Sequence, residues 1–191
     1  IQTNNIPADE FAQLLSKYSS VYLCINNNEV ITYDFQNYDG VVIYPKIDYS
    51  LLPKNIKKLQ LFASKVDCSN LPPSDSLIEL SIIFVEHYIK SLELLIHCKS
   101  LIIGICMLHA SYIHDLPPNL EILQINMPNN LPVFPKTLKT LELNYCNISL
   151  NTLPYGLETL EILSCSKDYD IRNLMNLPVS LKKITITQFD K

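Results

Sequence analysis

The stretch Leu116-Pro117-Pro118-Asn119-Leu120-Glu121-Ile122-Leu123-Gln124-Ile125 decides the reading of this chain. It has the form φ-Pro-x-x-φ-x-x-φ-x-φ, where φ is a large apolar residue. The same form recurs as Leu52-Pro53…Ile56…Leu59-Gln60-Leu61 and Phe134-Pro135…Leu138…Leu141-Glu142-Leu143. It returns twice more, as Leu153-Pro154…Leu157…Leu160-Glu161-Ile162 and Leu177-Pro178…Leu181…Ile184-Thr185-Ile186. In all five the proline stands six residues before the third apolar position. A unit this short cannot bury its own apolar face, so it must stack on copies of itself.

Aligning the third apolar position brings in further copies. The anchors are Val21, Val41, Leu59, Leu80, Leu101, Leu123, Leu141, Leu160 and Ile184, at gaps of 20, 18, 21, 21, 22, 18, 19 and 24 residues. Leu77-x-x-Leu80-x-Ile82 fits with one extra residue after Leu71-Pro72, and Cys98-x-x-Leu101-x-Ile103 fits with cysteine in first place. Tyr18-x-x-Val21-x-Leu23 and Tyr38-x-x-Val41-x-Ile43 are degenerate and lack the Leu-Pro. Each φ-x-φ alternates with period two and reads as a strand whose apolar side chains point one way. A return to the next parallel strand within so few residues leaves no room for a long crossover helix. The return must be extended or a single helical turn, which the fixed φ of proline favours.

The whole chain, 1–191, therefore reads as one domain of about nine repeats over residues 18–189. Before them, Pro7-Ala8-Asp9-Glu10 opens a segment with Phe11, Leu14, Leu15 and Tyr18 at helical spacing. Residues 7–18 are predicted to form a capping helix over the first coil. After the last strand, Phe189-Asp190-Lys191 offers no cap, so the final coil is expected to continue into further chain or to pair with something. The chain opens on Ile1 and not on Met, and so reads as a fragment or a processed form.

Apolar residues make up 48% of the sequence and charged residues 18%, enough apolar surface for a buried core. A formal charge of −4 lacks the basic stripe that nucleic acid requires. No run of 18 apolar residues is present to span a membrane.

The Leu-Pro-x-x-Leu-x-x-Leu-x-Leu pattern resembles the leucine-rich repeat, in its short class with a Leu-Pro on the convex side, over nearly the whole chain. That resemblance implies an α/β repeat solenoid: a curved stack with parallel strands on the concave side and an extended or 3-10 convex side. It is also similar to the short repeats of bacterial effectors and to the Leu-Pro repeats of amoebae and their large viruses. An Asn, Ile, Tyr and Lys-rich composition suits the second group better. Many members carry an Asn or Cys three residues after the last strand leucine. Asn26, Cys106, Cys146 and Cys165 stand there, whereas Ser64, Val85, Pro128 and Phe189 replace it elsewhere.

Six cysteines raise the question of disulfides. Cys98, Cys106, Cys146 and Cys165 fall where the repeat turns inward and read as small buried apolar residues, whereas Cys24 and Cys68 are less constrained. The paired-cysteine caps of secreted leucine-rich repeats are missing. The expected location is thus intracellular, in the cytoplasm, and in a host's cytoplasm for an effector or viral protein. The series His97, Cys98, Cys106, His109 and His114 has no compact zinc spacing. No HExxH, nucleophile elbow or phosphate loop occurs, so neither metal, cofactor nor catalysis is expected in this segment. The tripeptide Asn147-Ile148-Ser149 is a glycosylation sequon and is read as unused.

What remains is the strand face turned away from the core, where the fold has no use for an apolar side chain. The predicted partner-binding residues are Tyr22, Tyr44, Phe62, Ile83, Ile102, Gln124, Glu142 and Glu161, apolar and aromatic toward the N-terminus, polar and acidic toward the other end. A second column, Lys57, Ile78, Lys99, Glu121, Lys139, Glu158 and Lys182, reads as a solvated edge whose charges offset one another. The expected function is protein–protein recognition on the concave face. Two alternatives are a substrate-recruiting part of a larger ubiquitin ligase or effector, and a structural protein assembling through its open last coil.

Overall fold

In the computed structural model of the chain, every φ-x-φ segment is a strand and all paired strands run parallel. The structure describes residues 20–24, 41–43, 57–62, 65–71, 75–85, 88–105, 113, 115–126, 128, 131–145, 150, 153–165 and 176–188. Among them are β1 (Ser20–Cys24), β2 (Val41–Ile43), β3 (Lys58–Phe62), β4 (Lys65–Asp67), β5 (Glu79–Val85) and β6 (Tyr88–Lys90). There follow β7 (Ser100–Ile105), β8 (Ile122–Asn126), β9 (Thr140–Asn144), β10 (Thr159–Cys165) and β11 (Lys183–Gln188). Nine of these make one sheet in the order β11-β10-β9-β8-β7-β5-β3-β1-β2, while β4 and β6 pair separately. The architecture is a repeat solenoid of parallel strands.

All nine anchors lie level. Val21 pairs with Val41 and with Leu59, and from there the row runs Leu59, Leu80, Leu101, Leu123, Leu141, Leu160, Ile184 without a slip. From Leu59 to Leu160 the row is buried, and so is the parallel row Leu61, Ile82, Ile103, Ile125, Leu143 and Ile162. The first-position row, Leu77, Cys98, Leu120, Leu138 and Leu157, is buried beside them. Together they form one continuous hydrophobic cluster.

The conserved geometry of each coil starts in the Pro-x-x-φ turn. The proline carbonyl accepts a hydrogen bond from the N–H three residues on: Leu120 to Pro117 at 3.2 Å, Leu138 to Pro135 at 3.2 Å, Leu157 to Pro154 at 3.1 Å and Leu181 to Pro178 at 3.1 Å. Proline has no N–H to offer a ladder but keeps its carbonyl, and the opening position of the turn uses only that carbonyl. Where Leu95 replaces proline, the Cys98 N–H still closes the turn at 3.0 Å. Immediately afterwards one carbonyl per coil takes two N–H groups from the next. Lys57, Ile78, Lys99, Glu121, Lys139 and Glu158 each accept such a pair at 2.8–3.1 Å. The turns are thereby locked to one another before the strands begin.

The described return segments are extended or 3-10. Cys68–Asn70 and Leu92–Leu94 are 3-10 turns that follow β4 and β6. β4 and β6 set Val66 opposite Ile89, both buried, and Ile89 also bridges to Ile113. This second, smaller sheet was not expected from the proline signals, which specify an extended backbone but not what it pairs with.

The N-terminal coils depart from expectation. β2 lies outside β1, so β1 and not β2 adjoins β3. A simple advance of one coil per repeat would have put β2 between them. Residues 7–18, read as a capping helix, lie outside the described residues. No helix among the described residues is long and apolar enough to cross a membrane.

Candidate functional site

Period two sends alternate side chains of each strand to opposite faces, and the anchor rows take the core side. The outer face is left with three rows. The row before the anchors is Lys58, Glu79, Ser100, Ile122, Thr140, Thr159 and Lys183. The row after them is Gln60, Ser81, Ile102, Gln124, Glu142, Glu161 and Thr185. The third row includes Ile83, Gly104, Asn126, Asn144 and Leu163.

A groove of about 490 Å³ opens on this face across β3, β5, β7 and β8. Its walls are polar and uncharged at Gln60, Ser81, Ser100, Gln124 and Asn126, and apolar at Ile83 and Ile102. Lys58 and Glu79 close one side and form an ion pair at 2.8 Å. Gly104, opposite both Ile83 and Asn126, leaves the third row without a side chain there. A Cβ at Gly104 would meet Ile83 at 3.5 Å and Asn126 at 3.8 Å, ordinary contact distances, so the gap is open to a larger residue.

Five of the eight predicted residues have side chains on this face, three of them in the groove. Ile83, Ile102 and Gln124 line the groove. Glu142 sits next to Gln124 on β9 and accepts a hydrogen bond from the Asn144 amide at 2.9 Å, which also donates to Asn126 at 2.8 Å. Glu161 is on the same row but farther along, paired with Lys183. The backbones of Tyr22 and Phe62 fall on the expected rows, opposite Gln60 and Ile83 respectively. Tyr44 lies outside the described residues. Lys58, Glu79, Ser100 and Ile122 escaped the sequence reading. The signal was present: the same alternation, carried one residue before each anchor, points them outward.

The charged edge pairs as its signs suggest. Lys99 meets Glu121 at 2.8 Å, and Glu158 lies between Lys182 at 2.7 Å and Lys139 at 3.6 Å. The Glu158 carboxyl is held below its ordinary value of 4.5, first by the hydrogen bond and charge of Lys182, then by Lys139.

Of the cysteines, Cys98 is buried as expected, and its Sγ donates to the Ser100 carbonyl at 3.3 Å. Cys68, which the sequence left open, is buried too. Burial pushes both thiols up to about 12, far from the range of a ready nucleophile. His97 stands exposed on its turn, 3.7 Å from Asp75, beside the buried Cys98. Cys106, His109 and His114 lie outside the described residues, and no group of three metal-binding side chains gathers among those described. What this surface offers chemically is hydrogen-bonding amides and hydroxyls around two isoleucines. Comparison with protein-family models, with curated proteins and with solved structures finds no match.

Proposed function

We propose that the chain is a protein-recognition module of the leucine-rich-repeat kind, binding a partner protein on the outer face of its main sheet. In this reading the stack curves, the outer face is its concave side, and residues 7–18 cap the first coil. No catalytic role is assigned to this segment. One observation carries the reading: Ile83 and Ile102 stand on the sheet face that the core does not use, within a groove. Apolar side chains with no packing duty, framed by neutral hydrogen-bonding groups, are what a partner's surface can desolvate with gain. The level anchors and the Pro-x-x-Leu turns support the repeat class.

The test is the double variant Ile83→Glu, Ile102→Glu. Both sites are only half-buried, so the far-UV spectrum and melting should stay near the parent's. Partners captured by the parent should be lost, while Tyr155→Glu, at a residue 91% exposed on a distant turn, should keep them. Retention of every partner by the double variant would overturn the reading.

A second reading, assembly through the β11 edge of the described sheet, is favoured by Ile184, which is 44% exposed although its level-mates Leu141 and Leu160 are at 0%. Ile184→Lys should then turn an associating species into a monomer in light scattering. A parent that is monomeric at every concentration speaks against assembly.

A further inference from the structure

The apolar residues of the outer face are not scattered. Ile83 on β5 is level with Gly104, two residues beyond Ile102 on β7. Ile102 is in turn level with Gln124, two residues beyond Ile122 on β8. Each isoleucine is thus the diagonal neighbour of the next, and diagonal neighbours on a sheet stand about 7–8 Å apart. The three make an oblique apolar stripe roughly 15 Å long by the same spacing, ending at Ile122, which is 46% exposed. Serines and amides border it: Ser81, Ser100, Gln124 and Asn126.

Charge singles out one flank. Glu79 is paired with Lys58, Glu121 with Lys99, Glu158 with Lys182 and Lys139, and Glu161 with Lys183. Glu142 differs. Among the described residues it accepts from the Asn144 amide and has no cation in ion-pair range. It sits one strand beyond Gln124 and two beyond Ile102, so about 10 Å from that isoleucine by the strand spacing.

The backbone of the sheet is already engaged strand to strand, so a segment lying on this face gains no main-chain hydrogen bonds from it. An extended segment would leave unpaired those of its own N–H and C=O groups that press against isoleucine. A helix satisfies those groups internally, and three turns of it, about 16 Å, match the stripe. We infer that the outer face takes an amphipathic helix of a partner protein, its apolar stripe along Ile83, Ile102 and Ile122 and a flanking lysine or arginine against Glu142. The inference rests on the recognition reading above and names the chemistry of the partner.

The probes are three synthetic 16-residue peptides. One is a side-chain-stapled helix with leucines at i, i+4, i+7 and i+11 and lysines on the flanks, one carries glutamates in place of the lysines, and one has two central prolines. Isoleucine methyl NMR of the full chain reads the site. The lysine helix should move the methyl signals of Ile83, Ile102 and Ile122. It should also bind about tenfold more tightly than the glutamate helix, the scale of one close charge pair. Glu142→Lys should reverse that preference, and the milder Glu142→Gln should erase it. If the proline peptide binds as tightly through the same methyls, or the charge preference survives both Glu142 variants, the inference falls and the recognition face stands. If no peptide moves any of the three methyls, the inference likewise falls. The recognition reading then depends on partner loss in the Ile83→Glu, Ile102→Glu variant.

Discussion

At the scale of single residues, the turns show how a repeat signals its own gaps. The third residue of each turn reaches back to the turn before it. Thr137 Oγ1 donates to the carbonyls of Pro118 at 3.1 Å and Leu120 at 2.7 Å, and Ser180 Oγ to those of Tyr155 and Leu157. Asn119 Nδ2 donates to Ile96 at 2.8 Å in the same manner. Gly156 occupies that place between them and has nothing to donate. A Cβ there would lie 3.3 Å from the Lys136 carbonyl and 4.0 Å from that of Leu138, the two acceptors that a hydroxyl would bond. Gly156→Ser should therefore raise stability by roughly 0.5–1 kcal/mol, from one hydrogen bond and a stiffer unfolded chain, read as a shift of the denaturation midpoint. A lower midpoint would mean that crowding against Lys136 wins. The Glu158 carboxyl supplies a second test. Its folded value is depressed, so its pairing contributes above the ordinary 4.5 and is lost as pH falls through the lower folded value. Its NMR titration should have a midpoint below 4.5, and Lys182→Met should return it upward. The thiols run in the opposite direction. Cys68 and Cys98 stay neutral in the fold up to about 12 against an ordinary 9.0, so their contribution is whole below 9.0 and is lost as pH rises toward 12. Neither should react with a thiol reagent at pH 8 until the chain is unfolded, as peptide mapping would show.

At the scale of the element, a coil is a turn, a short strand and a return, and its stability comes from its neighbours on both sides. Leu141 and Leu160 are wholly buried between coils, and truncation leaves a void that the stack cannot close. Leu141→Ala or Leu160→Ala should cost roughly 2–5 kcal/mol. Ile184, on the same level but in β11, which pairs only with β10 among the described strands, is 44% exposed. Ile184→Ala should cost under about 1.5 kcal/mol, since only part of its surface leaves water. Equal penalties at the three sites in denaturant unfolding would refute the assigned levels. The element scale also separates what proline can and cannot say. It marks the turn and keeps the return extended, but Val66 and Ile89 become partners in a second sheet through positions with no such marker.

At the scale of the whole molecule, a stack held by nearest-neighbour contacts is most protected where neighbours lie on both sides. Amide exchange should be slowest in β7 and β8, in mid-sheet, and fastest in β2 and β11 at its edges. Uniform protection would instead indicate a single all-or-none unit. Much of this architecture was legible beforehand, because period two assigns inside and outside and the recurring φ-x-x-φ-x-φ spacing, with a proline in register in five of the copies, sets the level of each strand. By those two rules the sequence alone determined the anchor row from Val21 to Ile184, the buried leucine ladders and the outward placement of Ile83, Ile102, Gln124, Glu142 and Glu161. Neighbour choice is a different matter. Val21 is level with both Val41 and Leu59, and side-chain alternation is the same whichever strand stands beside it, so only the tertiary structure placed β1 between β2 and β3. The groove and the oblique stripe were also beyond the pattern. They depend on residues from several strands meeting across one sheet, and a spacing along the chain sets the level of each strand without saying which strands stand side by side.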